Sequence, residues 1–310
     1  IVLPIEVKDS KISKKIIIFV EILSLKTNSM DNSVKRVLFV NSEIYPYLPE
    51  SPIANIGRYL PQGIQERKKE IRSFMPRYGC INERKNQLHE VIRLSGMNIV
   101  INDVDRPLVI KVASISAARM QVYFIDNEDY FHRKSIYHDE NGEFFKDNGE
   151  RAIFFARGVL ETVKKLRWAP DVIHCQGWIS QVLPLYLKKV YVDDPIFSNS
   201  KVVLSLHDDM PAVDFPADFK DKIIFGGVTE QDVEILSEPT GTNLAKLAAS
   251  YSDGIIFGTD KLPADLKEFC EKSGLPVLPY NAAAIEDGTY IDNYNSFYDS
   301  LLKSYIMSFT

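Results

Sequence analysis

The chain of 310 residues is poor in the features that most often announce a function. It has three cysteines, Cys80, Cys175 and Cys270, set far apart. Their odd number and wide spacing exclude a disulfide framework and a cysteine-based metal site. Cys175 lies in an apolar run and reads as inert core. This cysteine usage points to a reducing, cytoplasmic compartment. Basic residues are not in excess: 37 lysines and arginines stand against 42 aspartates and glutamates, a formal net charge of −5. That leaves no electrostatic case for nucleic acid. Long apolar runs are missing as well. "KKIIIFVEILSL" is broken by Glu21, is followed by no small-residue cleavage site and is too short to cross a bilayer, so no membrane partner is expected. The sequence starts at Ile1, and residues 1–34 read as an extension upstream of a natural start at Met30. There is no P-loop, no G-x-S-x-G and no H-E-x-x-H, so neither cofactor nor metal is expected.

What is present is alternation. From Lys35 onward, apolar runs alternate with helical patterns, as a parallel α/β sheet requires. "RVLFV" is apolar throughout, like a strand covered on both faces. "ANIGRYLPQGIQERKK" sets Ile56, Leu60 and Ile64 on one helical face. "EIRSFMPRY" reads as a second strand. Between Leu88 and Asp126, "HEVIRLSG", "MNIVIND", "PLVIKVAS" and "MQVYFID" follow with short breaks, which predicts hairpins or a meander. The polar, aromatic stretch "NEDYFHRKSIYHDENGEFFKDNGE" reads as a functional or lid-like loop. Asn148 is expected to cap the helix "GERAIFFARGVLETVKKLR". "APDVIHC" and "KVVLSLHD" read as strands, "WISQVLPLYLKKVY" as a helix, and "NLAKLAASYSDGIIFGT" as helix, turn and strand. The tail gives two more helices. The fold expected is a doubly wound, Rossmann-like parallel sheet with a hairpin-rich insertion, a single domain over 35–310, with its ligand crevice at the carboxyl ends of the strands.

In this order the motifs resemble the N-terminal catalytic domain of bacterial glycogen synthases and plant starch synthases, retaining transferases of the GT-B fold that use ADP-glucose. The segments that carry the likeness are "VLFVNSEIYPY", "LPQGIQERKKEIRSFMPRYG", "VYFIDNEDYFHR" with "DNGERAIFFARGVLE", "PDVIHCQGW" and "VVLSLH", over about Lys35 to Thr259. The resemblance implies the N-terminal half of a GT-B fold, an α-glucan as ligand, and transfer to a glucan 4-hydroxyl. It implies Asp147, Gln176 and His207 as catalytic positions, and Glu43, Tyr47, Ser51, Asn148 and Trp178 as substrate-binding ones. For Asp147 a role as helix N-terminal acid is the equal alternative. His207 stands between a ligand contact and a structural hydrogen bond, Trp178 reads as packing, and His174 reads as a satisfied core residue.

The departures from the family pattern concern the donor. The family loop Lys-Thr-Gly-Gly-Leu falls on "PESPI", so Pro49 stands at the lysine and Ser51 and Pro52 at the glycines. Proline brings neither charge nor an N–H donor to a diphosphate. Gln176 replaces a histidine and cannot become a cation. About fifty residues follow Thr259, too few for the second GT-B domain. ADP-glucose is therefore a doubtful ligand for this chain by itself. Two readings follow: a glucosyltransferase half completed by a partner chain that supplies the second domain, or a non-catalytic glucan-binding or regulatory protein.

Overall fold

The computed structural model describes residues 33–303. The expected extension over 1–34 lies almost wholly outside the described residues. The chain runs β1 (Arg36–Asn41), α1 (Pro52–Glu66), β2 (Glu70–Pro76), β3 (His89–Glu90), β4 (Met97–Ile101), β5 (Val104–Ile115), β6 (Met120–Asp126), α2 (Glu128–Phe131) and α3 (Asn148–Leu166). It continues with β7 (Val172–Gln176), α4 (Leu183–Lys189), β8 (Lys201–Leu206), α5 (Phe219–Ile223), α6 (Gly241–Ser250), β9 (Gly254–Phe257), α7 (Ala264–Lys272), β10 (Val277–Leu278), α8 (Ala282–Asp287) and α9 (Tyr290–Lys303).

The sheet order is β10-β9-β8-β7-β1-β2-β6-β5-β3, with β4 paired to β5. From β10 across to β6 every neighbour is parallel. The pairs of β5 with β3, β4 and β6 are antiparallel. The doubly wound parallel sheet and the hairpin-rich insertion are thus both present. Strand order reverses between β1 and β7, and a crevice opens at the carboxyl ends of strands at such a reversal.

The apolar run of β1 serves two cores because successive side chains point to opposite faces. Leu38 and Val40 join a cluster with Phe154, Phe155 and Leu204 on one side. Val37 and Phe39 join Ile56, Leu60 and Ile64 of α1 and Tyr290, Tyr294, Tyr298 and Leu301 of α9 on the other. The last tail helix, α9, therefore packs back onto the sheet.

Three local expectations are corrected. Of "HEVIRLSG" only His89 and Glu90 are in a strand. "WISQVLPLYLKKVY" is not one helix: Trp178–Ser180 is a 3-10 turn, and α4 starts at Leu183 with Pro184 in its first turn, where a missing N–H is harmless. Asn148 is not the cap of α3. The cap position is Asp147, whose side chain makes no capping bond, and Asn148 already lies inside the helix.

Candidate functional site

The loop after β1 is held by its own side chains. Ser51 caps α1: its Oγ accepts the Ala54 N–H at 3.0 Å and donates to Glu43 Oε2 at 2.8 Å. Pro52 occupies the first helical position, so no donor is lost there. Pro49, Glu50 and Pro52 are exposed. Gly57 lets the helix sit against the Glu43 carbonyl, since a Cβ there would lie 2.3 Å from that oxygen. Arg58 is buried, donates to Gln62 Oε1 at 2.6 Å and stacks over Tyr59. It stands outside the cleft described below.

Across the reversal, β7 ends at Gln176. Its Nε2 donates to the Ile53 carbonyl at 2.8 Å, while its Oε1 is buried without a partner. Gly177 follows at φ +85°, in the left-handed region, and a Cβ there would lie 2.0 Å from Ser42 Oγ. Only glycine meets both demands. The turn brings Trp178 N–H to Asp209 Oδ2 at 2.8 Å. The indole itself is packed on Tyr137, Phe144 and Phe215, as expected of a packing residue.

His174 is the satisfied core histidine that its apolar strand predicts. Its Nε2 lies 2.6 Å from Ser205 Oγ and its Nδ1 2.8 Å from the Tyr298 hydroxyl. Burial, helped by His207, lowers its pKa to about 3. His207, just past β8, differs. Its ring lies against Gly258, where a Cβ would come within 2.2 Å of Cε1, and its Nε2 is buried and unpartnered. Burial lowers its pKa to about 4, so it is neutral at pH 7.

Asp209 carries no signal in the sequence beyond the doubled "DD" after a strand. Oδ1 is shut off from solvent and unpartnered, and burial, with Glu43 and Asp208 nearby, pushes the carboxyl up to about 7. Asn41 and Ser42 are buried with unsatisfied side-chain atoms too. The strand ends of β1, β7 and β8 thus share an unusual stock of orphaned polar atoms. Most buried polar groups in folded proteins are paired, so such a cluster marks a place for a hydrogen-bonding ligand or water.

A cleft of about 420 Å³ opens on this cluster, lined among others by Glu43, Ser51, His207, Asp208, Asp209 and Lys261. The carboxylates of Glu43, Asp208, Asp209 and Asp260 face a single lysine there.

Asp147 is not brought to this cleft. It pairs with Arg133 through both oxygens. Beside it, Arg151 is buried among the rings of Tyr78, Phe131, Tyr137 and Phe145, with Nε and one terminal nitrogen unpartnered. Asn148 fixes this region, donating to the Tyr137 carbonyl at 2.8 Å and accepting from Arg151. Tyr137 links the two areas, its hydroxyl 2.8 Å from that of Tyr78 and its ring 4.9 Å from Trp178. Tyr47 is buried edge-on against Phe124, and burial raises its pKa to about 12. Its ring faces are not open to a ligand. The described residues hold no cluster of histidine, cysteine and carboxylate able to bind a metal. No described helix is long and apolar enough to cross a membrane.

Comparison with known proteins gives the family and the fold. The model of the starch synthase catalytic domain family matches residues 36–259. A glycogen synthase of Chlorobium limicola is 42% identical over 173 residues, covering 56% of this chain and 35% of its own length. One from Chlorobaculum parvum is 34% identical over 222 residues, covering 70% of this chain and 46% of its own. The chain thus spans about a third to a half of the curated relatives it matches. Among solved structures, the catalytic domain of starch synthase IV from Arabidopsis thaliana bound to ADP and acarbose superposes with a TM-score of 0.61 at 14% identity, over 81% of this chain and 52% of that one. That likeness concerns the fold.

Proposed function

The chain belongs to the starch synthase catalytic domain family, and on that premise we propose that its strand-end cleft binds a neutral α-glucan and does not bind ADP-glucose. It then acts as a glucan-holding protein and is not by itself a glucosyltransferase. The observation that supports this most is the pairing of orphaned polar atoms with uncompensated carboxylates at the ends of β1, β7 and β8.

Sugar hydroxyls both donate and accept. They can satisfy His207 Nε2 and Asp209 Oδ1, which line the cleft and otherwise stay unpaired at a cost of about 1–3 kcal/mol each. A diphosphate meets the opposite situation. Lys261 is the one cation lining the cleft, against the carboxylates of Glu43, Asp208 and Asp260, with Asp209 partly protonated near pH 7. The segment from Pro49 to Pro52 offers neither a lysine nor a glycine-rich cradle of N–H groups. An anion is therefore repelled where the family's donor loop stands.

Isothermal titration of the 310-residue chain with maltoheptaose and with ADP-glucose tests the reading. Heat of binding from the oligosaccharide alone is expected, and His207→Ala should weaken it about tenfold, the scale of one lost ligand hydrogen bond in a buried site. Binding of ADP-glucose would overturn it. The second reading, transfer completed by a partner chain, is favoured by the ordered match over 36–259 and by His207 at the crevice. It requires glucose incorporation into glycogen when cations for the diphosphate come from that partner.

A further inference from the structure

Next to the strand-end cleft, and sharing Ser51, Pro52, Gly258 and Tyr280 with it, lies a second groove of about 750 Å³. One wall is the first two turns of α1, where Pro52, Asn55, Ile56 and Tyr59 line it at helical spacing. The other is the end of α8 and the start of α9, with Ile285 and Ile291. This second wall follows Thr259, beyond the residues matched by the family model. Its floor is apolar. Tyr59 is 47% exposed, one of the few large hydrophobic side chains so open in the described residues.

The rim is acidic. Glu50, Glu286 and Asp287 line this groove, and the adjoining cleft adds Asp208 and Asp260 beside its one lysine, Lys261. Glu50, Asp208, Asp260 and Glu286 have no ion-pair or hydrogen-bond partner among the described residues. Some carboxylates elsewhere are neutralised, Glu83 by Arg77 and Lys111, Asp253 by Lys188 and Asp265 by Lys246; what sets Glu50 and Glu286 apart is that they flank an apolar furrow. An apolar furrow between two helices, edged by unpaired charge of one sign, fits an amphipathic helix of the opposite sign.

We propose that this groove docks a basic amphipathic helix of a partner protein. Its apolar face lies on Ile56, Tyr59, Ile285 and Ile291, and its lysines or arginines lie over Glu50, Glu286 and Asp287. A second copy of this chain is a poor occupant, because the formal net charge of −5 sets acid against acid. A neutral glucan would leave the rim charges uncompensated. The proposal stands independently of the glucan reading, whose titration uses a different ligand and different residues.

The test is fluorescence anisotropy with a labelled eighteen-residue leucine–lysine amphipathic peptide as the probe. A leucine–glutamate peptide of the same apolar pattern is the control. Binding of the basic peptide only is expected, weakening as salt rises from low to physiological strength. Glu50→Lys with Glu286→Lys should weaken it about tenfold or more, and Tyr59→Ser about fivefold. Glu90→Lys, on β3 at the far edge of the sheet, should leave it unchanged. These side chains are exposed, so the variants are expected to fold, which circular dichroism verifies. Equal binding of both peptides, or equal loss in the Glu90→Lys variant, would overturn the proposal. So would displacement of the probe by maltoheptaose that Tyr59→Ser abolishes, or a dimer of this chain that Glu50→Lys with Glu286→Lys dissolves.

Discussion

Single residues at the strand ends set the chemistry of this protein. Gly177 is the clearest case, because both its φ of +85° and the Ser42 side chain exclude any larger residue. Gly177→Ala should destabilise the fold by about 2 kcal/mol or more, seen as a Tm lower by roughly 4 °C or more. The titratable residues give opposing pH effects. His174 and His207 are held at about 3 and about 4 in the folded chain, against 6.5 ordinarily. Below pH 6.5 the unfolded chain takes up protons that the folded chain refuses, so stability falls as pH drops from 6.5 toward 4. Asp209 runs the other way. Its folded value near 7 exceeds its ordinary 3.8, so the folded chain keeps a proton that the unfolded chain releases, and stability falls as pH rises from 3.8 to 7. Asp209→Asn removes only this second effect and can still accept the Trp178 N–H. Its urea midpoint should exceed the parent's at pH 8, and the gain should vanish toward pH 4. A gain independent of pH would show that the Asp209 carboxyl is not the titrating group.

At the scale of elements, α9 is what closes the far face of the sheet. Tyr290, Tyr294, Tyr298 and Leu301 cover Phe39, Val172, Val203 and Ile256, and the Tyr298 hydroxyl reaches through to His174. Tyr298→Phe keeps the ring and orphans His174 Nδ1, which should cost about 1–2 kcal/mol in chemical denaturation. Leu301→Ala leaves a cavity and should cost about 2–4 kcal/mol. The spacing of the four residues, at three and four positions, made this helix legible in the sequence, as did the apolar run of β1. Other elements were hidden. The short β3 owes its existence to the edge of β5, with which His89 and Glu90 pair, and no local pattern in "HEVIRLSG" distinguishes those two residues from the turn that follows. The cap of α3 was misread because Asn148 is a strong capping type. The buried guanidinium of Arg151 and the Tyr137 carbonyl instead draw its side chain inside the helix.

For the whole molecule, the proposed glucan reading turns on charge. A neutral glucan in the strand-end cleft should bind with nearly the same affinity at low and physiological salt, because no ion pair forms. A slope of affinity against salt in the maltoheptaose titration would mean that charged groups are engaged and would count against the neutral-ligand reading. The sequence by itself determined the α/β class, the family, the position of the crevice after the apolar strands, and the absence of lysine and glycine from the segment Pro49 to Pro52. These are local or ordered features, carried by composition, periodicity and motif order. The tertiary structure alone decided which of the named residues share a site. It set His207 and the unforeseen Asp209 around one cleft with Glu43 and Ser51, and buried Gln176 behind it against the Ile53 carbonyl. It drew Asp147 away to Arg133, and it turned Tyr47 edge-on into the core. The physical reason is that orphaned atoms, unpaired carboxylates and raised or lowered pKa values exist only once burial has removed water and distant strands have met.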